Sequence, residues 1–354
     1  MMIPTLDGIE RRTLTTGRLR TRVLCSGAEN GIPVLFLHGN LASATWWEET
    51  MVRLPKGYRG IAPDQRGYGE ADSEAKIDAT RGMGDLADDA VVLLDHLGIE
   101  RVHVVGSSLG GNVVWHLLAC YPRRLLSAVV VAPGSPYGFG ATKDLAGTPT
   151  TPDFAGSGAG LVNPELVRRL AAGDRTADSP FSPRAALRLL VFGAGHVPDR
   201  EEDLLSATLS VHLGEKDYPG DSVRSPNWPF VAPGAGGPNN ALSPKHVVPV
   251  REIVSAQPKV NVLWIRGGKD LAVSDAAASD PGNLGRMGLL PGWPGAEVYP
   301  LQPMVGQTRH ILDQYAQAGG RYEEVVLPKS GHVPFLDNPD GFDRAFHAHL
   351  MPAR

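Results

Sequence analysis

Gly106-Ser107-Ser108-Leu109-Gly110 lies between an apolar run at 102–105 and a stretch of helical patterning at 112–119. A G-x-S-x-G at a strand-to-helix junction is a sharp, strained turn, a nucleophile elbow, that lifts the central serine hydroxyl above the strand end. The backbone two residues to either side of that serine comes so close to it that only glycine fits. Gly106 and Gly110 hold those two places, and Gly111 follows. The pattern commits this part of the chain to a strand, a tight turn and a helix, with Ser108 as candidate nucleophile.

Strand and helix patterns alternate on both sides of the elbow. Residues 13–16 and 19–25 read as an N-terminal pair of strands, 33–37 and 60–64 as buried strands, with an amphipathic segment near 46–54 between them. Leu86, Val91, Leu94 and Leu97 recur at helical spacing. Gly98 stands where a helix ends. Residues 125–131 read as the next strand, and sheet character returns at 260–266 and 322–327, with helices at 304–318 and 342–350. Such alternation predicts an α/β protein with a mostly parallel sheet flanked by helices.

Between the two sheet-forming stretches the composition shifts to Gly, Pro, Ser, Asp and Asn. Helical patches at 163–172, 183–192 and 203–211 are separated by breaker-rich segments. A structureless linker of that length is improbable in a compact protein. The expectation is a core domain of 1–133 and 258–354 interrupted by a mainly helical, loop-rich cap of 134–257.

Composition narrows the function classes. The 354 residues are 42% hydrophobic and 20% charged, with a net charge of -4, an ordinary globular balance that does not favour a nucleic-acid partner. The basic cluster Arg11, Arg12, Arg18, Arg20 and Arg22 is expected to be the solvated face of the N-terminal hairpin. No apolar run reaches a bilayer-spanning length and no secretory signal is visible, so the expected location is cytoplasmic and no membrane partner is expected. Cys25 and Cys120 are expected to be reduced core thiols. His347 and His349 stand two apart on a helix, which disfavours a metal pair, and no metal site is expected. A homodimer is compatible with this composition, which does not decide the oligomeric state.

A serine hydroxyl needs a base within reach, and the base needs an orienting group. Asp270 follows the strand at 260–266 and His332 follows the strand at 322–327, giving the chain order Ser, acid, His. Asp275 and Asp280 lie just downstream as competing acids, and Asp144 is the first carboxylate after the strand at 125–131. His38 reads as a loop-shaping residue. An oxyanion needs fixed N–H donors. Leu109, just past Ser108, supplies one, and Asn40 (or Leu41), in His38-Gly39-Asn40-Leu41, supplies the second.

Five motifs in order resemble the α/β-hydrolase superfamily: His38-Gly39-Asn40, Asp64-Gln65-Arg66-Gly67-Tyr68-Gly69, the elbow, Gly268-Lys269-Asp270, and Gly331-His332. The resemblance covers roughly 19–133 and 260–350. It implies the α/β-hydrolase fold, a Ser108-Asp270-His332 triad with an oxyanion hole at Asn40 and Leu109, and no cofactor. It further implies hydrolysis of a small-molecule carboxylic ester or lactone through an acyl-enzyme. His38-Gly39-Asn40 with Trp46 is also similar to haloalkane dehalogenases, which, like epoxide hydrolases, use an aspartate nucleophile where Ser108 stands. Amide or C-C bond hydrolysis, cofactor-free perhydrolysis and a non-catalytic binding protein are the alternatives. Trp47, Tyr137, Tyr218, Trp228 and Met304 are the candidate substrate-binding residues, because the insertion and the long segment before His332 are expected to fold over the crevice.

Overall fold

Side chains along the strands alternate in facing, and that alternation builds one sheet with an apolar layer on each side. The computed structural model describes residues 3–351. The chain opens with β1 (Ile9–Thr15), β2 (Arg20–Ser26), β3 (Ile32–Leu37), β4 (Tyr58–Pro63), β5 (Val102–Ser107) and β6 (Leu125–Val131). Four short strands follow, β7 (Leu213–Gly214), β8 (Tyr218–Pro219), β9 (Ser222–Arg224) and β10 (Val231–Pro233), and then β11 (Asn261–Gly267) and β12 (Arg321–Leu327). The main sheet has the order β1-β2-β4-β3-β5-β6-β11-β12. Pairs β1/β2 and β2/β4 are antiparallel, and every pair from β4 to β12 is parallel.

The first helices are α1 (Glu48–Val52), α2 (Gly84–His96) and α3 (Leu109–Cys120). Between β6 and β11 lie α4 (Pro164–Ala171), α5 (Pro183–Ala186), α6 (Glu201–Leu209), α7 (Pro238–Ala241) and α8 (Val250–Ser255). The chain then forms α9 (Pro281–Arg286), α10 (Met304–Gln317), α11 (Pro334–Asp337) and α12 (Pro339–Leu350). In β3, Leu35 and Leu37 join the layer containing Val113, Leu117 and Ile311, from α3 and α10. Val34 and Phe36 join the opposite layer with Phe342 and Phe346 from α12. Each such side chain contributes about 1.5–3 kcal/mol when fully buried, so a one-residue slip of register is strongly disfavoured.

The chain passes from β3 outward to β4, then returns past β3 to β5. That reversal is the topological switch point of an open parallel sheet, where a crevice forms beyond the carboxyl ends of the strands. The loop after β3 and the elbow after β5 flank it.

The insertion does not build an apolar core of its own. Leu170, Val211, Tyr218 and Ala241 belong to the α3/α10 layer. Leu187, Phe192, Leu204 and Leu205 belong to the α12 layer. Its hairpin also grips the segment that precedes α10. Trp228 Nε1 donates to the Pro291 carbonyl at 2.9 Å, and its ring meets Tyr299 edge-on at 4.7 Å.

Two expectations need correction. Arg22 is not on a solvated face: it is 1% exposed and forms a bidentate pair with Asp64, both bonds 2.9 Å. The side chain is interior because Asp64 and the loop after β3 close over it, the guanidinium bonding the hydroxyls of Ser43 and Thr45 as well as the carboxylate. Arg11, Arg12 and Arg18 do face outward, and each pairs with carboxylates. Cys120 is an exposed thiol, because it is the last residue of α3, whereas Cys25 is buried as expected.

Asp64 accepts four hydrogen bonds, two from Arg22 and one each from the amides of Ala44 and Glu70. Removing one partner of such a pair strands the other charge. Asp64→Ala is therefore expected to cost about 3–5 kcal/mol in chemical denaturation, whereas Arg20→Ala, at the exposed start of the same strand, should stay within about 0.5 kcal/mol.

Asp280 caps α9, its Oδ1 accepting the Asn283 amide at 2.9 Å, and is 1% exposed. Its Oδ2 has no hydrogen-bond partner. Burial lifts the carboxyl to about 6, against the pull of the nearby Asn283, Gln302 and Gly282 amides. A carboxyl raised on folding stabilises below its unfolded value, and that stabilisation is lost as pH rises through about 6. Asp280→Asn lacks this titration. Between pH 3.5 and 7.5 its stability should gain on the wild type by on the order of 2–3 kcal/mol, read from paired unfolding curves.

Candidate active site

The elbow is made by backbones that pass too closely for side chains. A Cβ on Gly106 would lie 2.1 Å from the Gly110 carbonyl oxygen, and one on Gly110 would lie 2.2 Å from that of Leu37. Ser108 sits at φ 54, ψ -119, a conformation a serine adopts only under constraint. Its amide donates to the Val131 carbonyl at 2.9 Å, and its carbonyl accepts from Asn112 at 3.2 Å, the first turn of α3. Strand β6 and helix α3 thereby fix the serine from both ends.

The loop after β3 lies against it. A Cβ on Gly39 would stand 3.1 Å from Ser108 Cβ and 3.8 Å from Ser108 Oγ. His38 holds this loop. Burial pushes its imidazole down to about 4, so it is neutral at physiological pH. As the Nδ1–H tautomer it donates to the Gly39 carbonyl at 2.8 Å and accepts the Gln65 amide at Nε2, 3.0 Å.

Asn40 is tied down through its side chain. Oδ1 accepts from the Tyr68 hydroxyl at 2.8 Å and from the Leu41 amide at 3.1 Å, while Nδ2 donates to Asn239 Oδ1 on α7 at 2.7 Å. The Leu41 N–H, one of two candidate donors in the sequence, is therefore consumed locally. Among the described residues the amides of Asn40 and Leu109 are engaged by no acceptor. Leu109 is also the first residue of α3, where the helix dipole presents its positive end.

The structure brings His332 and Asp270 into contact. His332 Nδ1 donates to Asp270 Oδ2 at 2.9 Å, leaving Nε2 as the free acceptor of the neutral ring. Asp270 Oδ1 accepts the amides of Ala272 and Val273 at 2.8 and 2.9 Å, so the carboxylate is oriented before it meets the ring. Burial opposes the imidazolium, but the Asp270 carboxylate and, more weakly, Asp337 outweigh it and hold the His332 pKa above its ordinary value. Strands β11 and β12 run parallel to β5, so their following loops emerge at the same sheet edge as Ser108. Among the described residues the Ser108 hydroxyl makes no hydrogen bond, and such bonds in unliganded sites commonly tighten only when substrate arrives.

The competing acids have other work. Asp144 accepts the amides of Ala146 and Thr148 in an exposed turn, Asp275 caps α10 at Val305 and Gly306, and Asp280 caps α9. Among the described residues no group of three or more His, Cys, Asp or Glu side chains could hold a metal ion. None of the described helices is long and apolar enough to cross a membrane.

Most of the expected substrate-binding residues lie in packed interior. Trp47 is fully buried and stacks on Phe335 at 4.2 Å, Met304 and Tyr218 are buried, and Trp228 forms the joint with Tyr299. Their bulk recommended them from sequence, but the same bulk fills the core at Trp47, between Phe36 and Phe335, and joins the insertion to the segment before α10 at Trp228. Tyr137 alone of the five is partly exposed. Asn239, Tyr68 and Asp337 were not anticipated. Tyr68 lies inside one of the five motifs, where no role was assigned to it, Asp337 stands five residues beyond another, and no periodicity marks Asn239.

A family profile described as the alpha/beta hydrolase fold matches residues 32–170. The AB hydrolase superfamily protein YfhM of Bacillus subtilis (strain 168) is 33% identical over 127 residues, 36% of this chain and 44% of that protein. Epoxide hydrolase 3 of Siraitia grosvenorii is 35% identical over 125 residues, 35% of this chain and 39% of that protein. The chain thus spans less than half the length of these curated relatives. The solved carboxylesterase CesB of Bacillus subtilis shares the fold over 98% of this chain and 93% of its own, with TM-score 0.60 at 17% identity. Sequence likeness around the elbow and a fold shared along nearly the whole chain agree: the protein has the α/β-hydrolase fold, and residues 32–170 match that family's model.

Proposed function

We propose that this protein is a serine hydrolase that cleaves a small carboxylic ester or lactone through an acyl-enzyme. The observation that carries the reading is the Asp270–His332 pair, 2.9 Å long and oriented by two backbone amides, at the sheet edge where strained Ser108 stands. A receptor that only bound its ligand would have no physical need of this arrangement.

In this mechanism Ser108 Oγ attacks the carbonyl carbon while His332 Nε2 takes the hydroxyl proton. Asp270 stabilises the imidazolium without itself becoming protonated. The amides of Asn40 and Leu109 receive the charge that develops on the carbonyl oxygen. Collapse expels the alcohol, which takes the proton from His332 and leaves an acyl-serine. Water, deprotonated by the same imidazole, then releases the acid and restores the serine. In a lactone the two products remain one hydroxy acid.

Several named relatives are epoxide hydrolases. Epoxide opening through a covalent ester requires a carboxylate nucleophile, and Ser108 Oγ would give an ether that water does not hydrolyse. The serine therefore favours the acyl-transfer reading, which also suits the carboxylesterases among the relatives and solved structures.

Ser108→Ala is expected to lower kcat on p-nitrophenyl esters by at least about 10³-fold with unfolding curves unchanged, and to abolish labelling by a fluorophosphonate. Undiminished turnover would remove the mechanism. Asp270→Asn should lower kcat by roughly 10⁴-fold, because the wrong imidazole tautomer is favoured. In the wild type kcat/KM should fall with decreasing pH through a value above that of an ordinary histidine, as the charge on Asp270 dictates.

A further inference from the structure

The loop that carries His332 is bonded to the insertion by a carboxylate outside the Ser-His-Asp set. Asp337 ends α11, five residues after the histidine. Its Oδ2 accepts the Gly331 amide at 2.7 Å and its Oδ1 accepts the Gly193 amide at 2.9 Å. A third bond runs alongside: the His332 amide donates to the Val191 carbonyl at 2.9 Å. One short segment of the insertion, residues 191–193, is thereby fastened to the residue that bears the imidazole and to the one before it.

No side chain can stand between the two backbones. A Cβ on Gly331 would lie 2.8 Å from both the Gly193 nitrogen and the Phe192 carbonyl carbon. A Cβ on Gly193 would lie 3.2 Å from Asp337 Oδ2. The insertion side of this contact is itself anchored. Phe192 is 4% exposed and stacks on Trp46 with 6.1 Å between centroids, and Arg200 Nη1 donates to buried Glu48 Oε2 at 3.0 Å.

We propose that Asp337 is a positioning residue for the base: it locks the His332 loop to the insertion and places a second negative charge behind the imidazole. The inference rests on the reading of His332 as general base. The two functions need a carboxylate. Two N–H groups arrive on two different oxygens, so an amide would turn its own NH2 toward one of them. Burial raises the Asp337 pKa, the Gly193 and Gly331 amides oppose that, and the rings of His196 and His332 face it. Facing His332 are Asp270, from the loop after β11, and Asp337, from α11. The carboxylate of Asp337 makes no ion pair with the ring, so it acts through position and field.

The test uses the full chain with Asp337→Asn and Asp337→Glu, both checked for wild-type-like unfolding and circular dichroism. Asp337→Asn is expected to lower kcat on a p-nitrophenyl ester by about 10- to 100-fold, the effect of displacing a base by about an ångström. It should also move the acidic limb of kcat/KM to lower pH, because the imidazolium loses an anionic neighbour. Asp337→Glu keeps the charge and should keep the limb in place. An acidic limb that stays put in Asp337→Asn overturns the proposal, whatever happens to the rate, since a purely structural lesion slows turnover without moving it. Titration of the His332 ring protons by NMR, in wild type and Asp337→Asn, reads the same shift without substrate. It separates a failure of this inference from a failure of the ester-hydrolase reading, which the Ser108→Ala experiment decides.

Discussion

The site depends on three backbones that cross with almost no space between them. The elbow after β5 touches the end of β3 at Gly110, folds on itself at Gly106, and leans on the β6 end through the Ser108 amide. Tightly packed interiors transmit displacement instead of absorbing it. The serine therefore cannot shift without moving three adjacent central strands, and those strands are held by two apolar layers. Strain at Ser108 persists because the surroundings over-determine it. The nearness of Gly39 to the serine follows from the same crossing, and it brings the loop with the unengaged Asn40 amide up against Ser108.

Preorganisation of that loop is electrostatic as well as steric. Arg22 and Asp64 pair in the interior, and each also reaches the loop's far end: Arg22 bonds the hydroxyls of Ser43 and Thr45, and Asp64 takes the Ala44 amide. At the near end a neutral His38 bridges Gly39 and Gln65. Between them Asn40 is held by Tyr68 from the core and Asn239 from the insertion. Donors fixed before the reaction need no reorganisation when charge appears, which is the source of their advantage over water.

The sequence made the sheet legible because period-2 alternation and short apolar runs survive in isolation. Residues 125–131 and the elbow are the clearest examples, and their boundaries follow from glycine and helix-capping chemistry. Ser108, Asp270 and His332 were legible for a different reason: each follows a strand of the same parallel set, so chain order alone places them at one edge. What escaped notice depends on contacts between distant segments. Arg22 looks like its neighbours until Asp64, Ser43 and Thr45 close over it. Trp47 and Trp228 look like pocket residues until the packing partners Phe335 and Tyr299 are known. Asp337 sits on a helix of four residues, too short to show a pattern, and its partner Gly193 lies 144 positions away.

The bare glycine contact between residues 193 and 331 has a consequence for remodelling. Specificity in such scaffolds invites grafting a foreign insertion onto a resident core. Here a graft would have to deliver an unsubstituted peptide unit at one fixed point, with an N–H aimed at a carboxylate on the recipient and a carbonyl aimed at the histidine amide. Length, composition and pocket shape could vary widely around that point. A donor segment lacking it would leave the recipient folded, with its imidazole unsupported on one side.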